Sequence, residues 1–348
     1  MEYIFLYLVA AFGSSVLITA LIRTYALKKS LIDIPSRRSS HSVPTPRGGG
    51  LSIVITFMAS SILLYFTDSL QPAPFLSVAV SGSMVASIGF WDDHGHVSAK
   101  WRIVVHFLAA GLAMLWIGGF PPIPLGDMTI DAGWTGFLPG VILLVWFLNL
   151  YNFMDGIDGL AGTEAACVTG GAALILHARG ADHLSVWLLL LCAGCAGFLV
   201  WNWPPARIFM GDAGSGFIGF TVGVIALYTS LEEYMNIWTW FILFGVFLVD
   251  ATFTLTRRML QGETWYEAHR SHAYQYASRR FGSHKKVTLA VLMINLLWLF
   301  PLAWISVFQA RLAPVLLVCS WTPLILMAAV LGAGKPEEEK NSIHDFNT

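Results

Sequence analysis

Eleven apolar stretches separated by polar loops dominate this 348-residue chain. They are Tyr3–Ile22, Leu51–Phe66, Phe75–Trp91, Ile103–Ile117, Trp134–Leu150, Ala165–Leu176, Leu184–Trp203, Ala213–Leu231, Ile237–Leu255, Val287–Phe308 and Leu312–Ala333. A helix needs roughly 17–25 apolar residues to cross the hydrocarbon core of a bilayer, and most of these stretches reach or approach that length. The sixth is the shortest. Only 12% of residues are charged and 56% are hydrophobic, whereas a soluble domain is about 25% charged. Too few charges remain to cover a water-facing surface. That excludes a soluble globular enzyme, a disordered chain and a disulfide-stapled secreted fold. A net charge of −1 gives no case for nucleic-acid binding. The expected fold is all-α: a polytopic membrane protein of about eleven transmembrane helices.

The basic residues test the count, because Lys and Arg concentrate in cytoplasmic loops. With eleven spans and the N-terminus outside, eighteen of the twenty Lys and Arg are cytoplasmic, and only Arg179 and Arg311 are not. Deleting the sixth span would expose the loop holding Arg257, Arg258, Arg270, Arg279, Arg280, Lys285 and Lys286. The C-terminus is therefore expected in the cytoplasm. The start, Met1-Glu2-Tyr3, lacks the basic segment of a signal peptide, so the first stretch reads as an uncleaved helix. Residues 1–334 read as a single transmembrane domain and 335–348 as a polar cytoplasmic tail. Trp residues near both ends of the helices fit interfacial belts. Cys167, Cys192, Cys195 and Cys319 all fall in apolar spans and read as small packing residues.

Acidic residues near a bilayer are costly and usually functional. Asp92 and Asp93 close the third span, and Lys100 and Arg102 follow closely enough to offset their repulsion. Asn149, Asn152, Asp155 and Asp158 form an oxygen-rich run after the fifth span, suited to a hard cation or a hydroxyl-rich ligand. Their spacing fails the EF-hand pattern. Gly211-Asp212-Ala-Gly-Ser-Gly216 opens the eighth span. Glycine-rich backbone at a helix start suits phosphate, and Asp212 suits Mg²⁺. Arg47-Gly48-Gly49-Gly50 is a weaker version of the same signal. Asp250 lies inside the ninth span. His269-Arg270-Ser271-His272 has the spacing of one helical turn, and Arg and His beside acids suit phosphate better than zinc. Every one of these clusters falls on the expected cytoplasmic side, where a lipid phosphate and a soluble anion can meet.

In order and composition, these motifs resemble the polyprenyl-phosphate N-acetylhexosamine-1-phosphate transferases, glycosyltransferase family 4. The resemblance runs from Pro44-Thr-Pro-Arg47-Gly-Gly through Trp91-Asp92-Asp93, Asn149–Gly162, Asn202–Ser215 and Asp250 with Arg257-Arg258 to the His loop. It implies Asp212 as the main Mg²⁺ ligand (Mn²⁺ in its place is open) with Asn152 as a second. It implies Asp92, Asp93, Asp155, Asp158, His269 and His272 as catalytic residues. Lys100, Asn149, Asn202, Phe209 and Arg270 would bind substrate, with Phe209 stacking on uracil. The His-Arg-Ser-His variant, followed by Ala273-Tyr274-Gln275, looks more like the O-antigen-initiating branch, which accepts UDP-linked 6-deoxy sugars.

The implied reaction is UDP-HexNAc plus undecaprenyl phosphate giving undecaprenyl-diphospho-HexNAc and UMP, at the bacterial inner membrane. Such transfers depend on positioning and charge neutralisation. A homodimer stays open. The competing class is a transporter or flippase for a polyprenyl-linked or anionic solute. Transporters place ionisable groups near the midplane in paired repeats. Here only Asp250 lies within a span, and no matching halves are visible.

Overall fold

The computed structural model of the protein describes residues 4–35, 41, 43–95, 97–263 and 269–335. Arg37, Arg38 and the tail from residue 336 onward lie outside the described residues. Each of the eleven predicted segments is helical. They are α1 Ile4–Lys28, α2 Leu51–Phe66, α3 Pro72–His94, α4 Ala99–Ile117, α5 Gly133–Met154, α6 Leu160–Ala178, α7 Asp182–Asn202 and α8 Asp212–Leu231. The ninth is a bent pair, α9 Ile237–Leu243 and α10 Gly245–Leu260. A short α11, Ala273–Phe281, precedes α12 His284–Phe308 and α13 Ala310–Leu331. The sixth segment is longer than its apolar stretch. Its helix starts at Leu160 and carries the buried Glu164, which accepts from Asn295 Nδ2 of α12 at 2.6 Å.

Among the described residues, nine helices are long and apolar enough to cross a membrane, and the bent pair makes a tenth. With 16 residues, α2 is only ~24 Å long. The pair α9–α10 turns by 83° yet still runs from one end of the bundle to the other. Trp238 Nε1 donates to Pro124 O at one end, and Arg257 Nη1 to Ala333 O at the other. Two small antiparallel ribbons join the helices: Ile32–Asp33 with Thr45–Pro46, and the hairpin Ile123–Leu125 with Met128–Ile130.

Buried along nearly its whole length, α8 is the axis of the bundle. Glycine lets its neighbours close in. A Cβ on Gly50, before α2, would come within 2.6 Å of Gly214 Cα. One on Gly89 of α3 would come within 2.6 Å of the Asp212–Ala213 peptide. The start of α8 is thus pressed between α2 and α3, and this contact positions the site. The lipid-facing sides stay apolar, with Phe5, Leu17 and Leu21 of α1 exposed.

Candidate active site

Residue i+4 of a helix shares a face with residue i. Gly89 brings α3 against the α8 start, so Asp93 lies over the first turn of α8. Its carboxylate accepts the Asp212 N–H at 3.1 Å and the Ala213 N–H at 3.2 Å. Those are orphan donors at the positive end of the helix dipole. The glycine-rich start of α8 is therefore not the open phosphate cradle the sequence suggested: Asp93 occupies its N–H groups. The Arg47–Gly50 turn is likewise committed. Gly49 N–H donates to Phe209 O and Gly50 N–H to Met210 O.

Asp92 faces the other way. It accepts the Val97 N–H at 2.9 Å and pairs with Arg102 at 2.7 Å. Arg102 also pairs with Asp212 at 2.9 Å. One guanidinium thus joins α3, α4 and α8. Of the two cations expected to serve Asp92 and Asp93, Arg102 serves Asp92, while Lys100 is exposed.

These elements enclose a cavity of about 340 Å³. Asp93, Asn152, Asp155, Asp158, Asn202, Phe209 and Asp212 line it, together with Asp33, His41, Arg47, Gln275 and His284. Asn152 Oδ1 accepts from Ser215 Oγ at 2.8 Å. Burial, then the charges of Asp212 and Asp93, raises the Asp155 carboxyl well above the usual range. Asp158 behaves oppositely. Burial alone would raise it, but His284 and the Ala206 N–H outweigh that and leave it low. Its Oδ2 accepts from Ala206 N at 3.0 Å, and His284 Nδ1 lies 3.3 Å from Oδ1. Asn202 is buried with both ends engaged, accepting from Gly159 N and donating to Ile208 O, each at 2.9 Å. The Phe209 ring packs edge-on against His41 at 4.8 Å between centroids.

Not every expected residue reaches this cavity. The Asn149 amide donates back to Val145 O in its own helix. His269, Arg270 and His272 do not line it. Nor do they form the helical turn their spacing suggested, since His272 is the N-cap of α11. Asp250 fixes that start. Its oxygens accept Ala273 N–H at 2.8 Å and Tyr274 N–H at 3.0 Å, with His272 Nδ1 at 3.3 Å. The His269 and His272 rings stack at 4.9 Å. Burial, then His272 and Arg258, pushes the His269 ring down to about 3. The loop adjoins the site through Tyr274, whose hydroxyl donates to Phe153 O at 3.0 Å. From this loop and α11, Gln275 rather than His269 or His272 lines the cavity.

Sequence reasoning missed Asp33, His41, Gln275 and His284. No periodicity marks them. The one usable signal for His284 was a polar side chain opening an apolar span on the basic side. Among the described residues, no three His, Cys, Asp or Glu side chains converge tightly enough to hold a metal alone. The cavity's donors are oxygens throughout its acidic part, a set that suits a hard cation sharing its coordination with a ligand's phosphates.

Comparison with known proteins bears on this geometry. The family described as glycosyl transferase family 4 matches residues 75–230, the stretch from α3 through α8. The chain is 28% identical over 293 residues to the probable undecaprenyl-phosphate N-acetylglucosaminyl 1-phosphate transferase of Bacillus subtilis (strain 168), covering 81% of this chain and 79% of that one. It is 30% identical to the phospho-N-acetylmuramoyl-pentapeptide-transferase of Moorella thermoacetica, covering 62% and 72%. It is 28% identical to the undecaprenyl-phosphate alpha-N-acetylglucosaminyl 1-phosphate transferase of Yersinia pestis, covering 87% and 83%. Likeness of this extent to these transferases, two of them named for undecaprenyl phosphate, together with the bundle of membrane-length helices, leaves one grouping: the chain belongs to glycosyl transferase family 4, the polyprenyl-phosphate N-acetylhexosamine-1-phosphate transferases, and is a multi-pass membrane phosphoglycosyl transferase.

Proposed function

We propose that this enzyme transfers HexNAc-1-phosphate from a UDP-N-acetylhexosamine to undecaprenyl phosphate, releasing UMP and starting a lipid-linked surface glycan such as O-antigen. Residues 1–334 would work as one transferase unit. The observation that carries this reading is the convergence of Asp93, Asp155, Asp158 and Asp212, from three separate parts of the chain, on one cavity that also holds Arg47. The cytoplasmic inner-membrane face is supported by charge. All the Lys and Arg expected inside that fall among the described residues sit at the cavity end, and Arg179 and Arg311 sit at the other.

In this reading an oxygen of the lipid phosphate attacks the β-phosphorus of the nucleotide sugar. The new P–O bond forms as the bond to the bridging oxygen breaks, and that electron pair leaves with UMP. Direct attack is favoured over a phospho-aspartate because a lipid phosphate is already largely ionised near neutral pH. Asp212, with Asn152 in the same cavity, would hold Mg²⁺, and the carboxyl oxygens of Asp93 and Asp155 line that cavity with them. When bound, the cation neutralises the diphosphate and improves UMP as a leaving group. Arg102 holds Asp92 and Asp212 in register. The α8 backbone fixes Asp93, so that the cavity is preorganised rather than assembled on binding. Phe209 at the cavity edge offers a face for the uracil ring.

The test is purified enzyme with Mg²⁺, undecaprenyl phosphate and a panel of UDP-N-acetylhexosamines, 6-deoxy sugars included. UMP release that requires the lipid, with one donor preferred, is the expected result. UMP release indifferent to the lipid, or none with any donor, would remove the reading. Sugar translocation without chemistry would favour a transporter.

A further inference from the structure

Several arginines at the cavity end have partners within the chain. Arg102 pairs with Asp92 and Asp212, Arg258 with Glu263, and Arg257 donates to Ala333 O. Arg23 of α1 and Arg207, in the loop between α7 and α8, are different. Both guanidinium carbons stand over one ring, that of Trp201, at 5.9 and 5.8 Å from its centroid. The indole is fixed, because its Nε1 donates to Val16 O at 3.1 Å. Val16 and Arg23 lie two turns apart on one side of α1. Arg23 Nε donates to the Arg207 carbonyl at 3.1 Å. Among the described residues neither guanidinium makes another hydrogen bond, and neither has a carboxylate partner. A cation over an indole is a favourable pair. Two cations on the same indole repel each other, and no acid among the described residues offsets that.

The bilayer is placed to supply the missing anion. Trp201 is the penultimate residue of α7, and Arg23 lies about 7 Å inside the end of α1. Val200, next to Trp201, is 53% exposed, and the exposed Leu17 and Leu21 lie deeper along α1. Apolar surface below, an indole at the boundary and guanidiniums reaching outward mark the depth of phospholipid headgroups. Neither arginine lines the acidic cavity. We infer that Arg23 and Arg207, on the Trp201 indole, bind the phosphate of an anionic phospholipid in the leaflet at the cavity end. A phosphodiester presents the paired oxygens that guanidinium forks take. Two cations favour a headgroup that keeps its negative charge over a zwitterionic one, whose ammonium would meet them. The site also bears on the loop that carries it. Arg207 N–H donates to Trp201 O, Ala206 N–H to Asp158 and Phe209 N–H to Pro46 O. A headgroup held on Arg207 steadies the stretch leading to Phe209 and Asp212, so anionic lipid raises turnover without touching substrate. That link to turnover rests on the transferase reading above, and the binding site does not.

The test is photo-crosslinking of the unmodified enzyme in phosphatidylcholine nanodiscs doped with phosphatidylglycerol that carries a diazirine on its headgroup. Label is expected around Trp201 and Arg23. It should disappear in the double variant Arg23→Gln, Arg207→Gln and persist in Lys28→Gln, Lys29→Gln, which removes as much charge from the same helix end. Label spread evenly over all basic helix ends overturns the site, and that result is read on the unmodified enzyme even if the double variant folds poorly. Displacement of the label by inorganic phosphate would make this a site for soluble anions and overturn the lipid assignment. In turnover assays with UDP-N-acetylglucosamine and undecaprenyl phosphate, phosphatidylglycerol should raise kcat by about fivefold, the low end of coupling between two sites. Arg23→Gln should stay at the lower rate, and equal stimulation there overturns the coupling to the loop. Labelling needs no turnover, so the two readings separate: a labelled site without UMP release sinks the reaction and keeps the site.

Discussion

At the scale of single residues, the site separates groups that face ligand from groups that hold those in place. Asn202 belongs to the second kind despite lining the cavity. Both ends of its amide are engaged by backbone, and removing it leaves a buried N–H and C=O unpaired, at a cost of about 1–3 kcal/mol. Asn202→Ala should therefore lower the melting temperature in detergent more clearly than it raises the KM for UDP-sugar. An unchanged melting temperature with a large KM effect would make it a nucleotide contact instead. Arg102 joins Asp92 to Asp212. Arg102→Gln should cut the rate of UMP release by roughly tenfold or more, the loss expected when a charge-positioning group is removed. A rate within twofold of the parent would show the bridge to be incidental. The acids were legible in the sequence because Asp and Asn at the ends of apolar runs are rare. Arg102 was visible only as one of two nearby cations. Nothing in a spacing of ten residues across a turn tells it from Lys100, which faces solvent.

At the scale of elements, the glycines mattered for packing rather than for phosphate. The motif around Gly211–Gly216 reads as an anion cradle, but sequence cannot show that Asp93 already fills it. Gly50 meets Gly214 backbone to backbone, so Gly50→Val should destabilise by about 1–3 kcal/mol through overpacking, read as lower detergent stability. The His loop shows the same limit: a spacing of three suggests a helix face, whereas Asp250 makes His272 a cap. Asp158 ties the Ala206 loop to α12 through His284. Its carboxyl is low in the folded state, so this clamp contributes stability above the unfolded value near 3.9 and loses it as pH falls through the folded value. A thermal scan from pH 7 to pH 3 should show a shallower acid limb for Asp158→Asn. An unchanged limb would mean the clamp does not contribute.

At the scale of the whole molecule, the membrane-length helices, nine among the described residues and a tenth from the bent pair, were legible because apolar length is a local and strong signal. The 83° bend between α9 and α10 was not, since Phe244-Gly245 holds no proline and reads as continuous apolar sequence. Successive helices run between the two ends in alternation, gathering the charged loops at the cavity end. Cysteines placed at Met128, exposed in the far hairpin, and at Arg280, exposed at the cavity end, should differ in intact bacterial cells: an impermeant maleimide labels the first and not the second. The reverse pattern would turn the site outward. The central claim is that one anionic cavity built around Asp212 carries out the transfer. It is tested most directly by Mg²⁺-dependent UMP release from Asp212→Asn in lipid nanodiscs, beside the parent enzyme. The expected result is turnover at background level in a protein that melts like the parent. Parental turnover in Asp212→Asn would contradict the account.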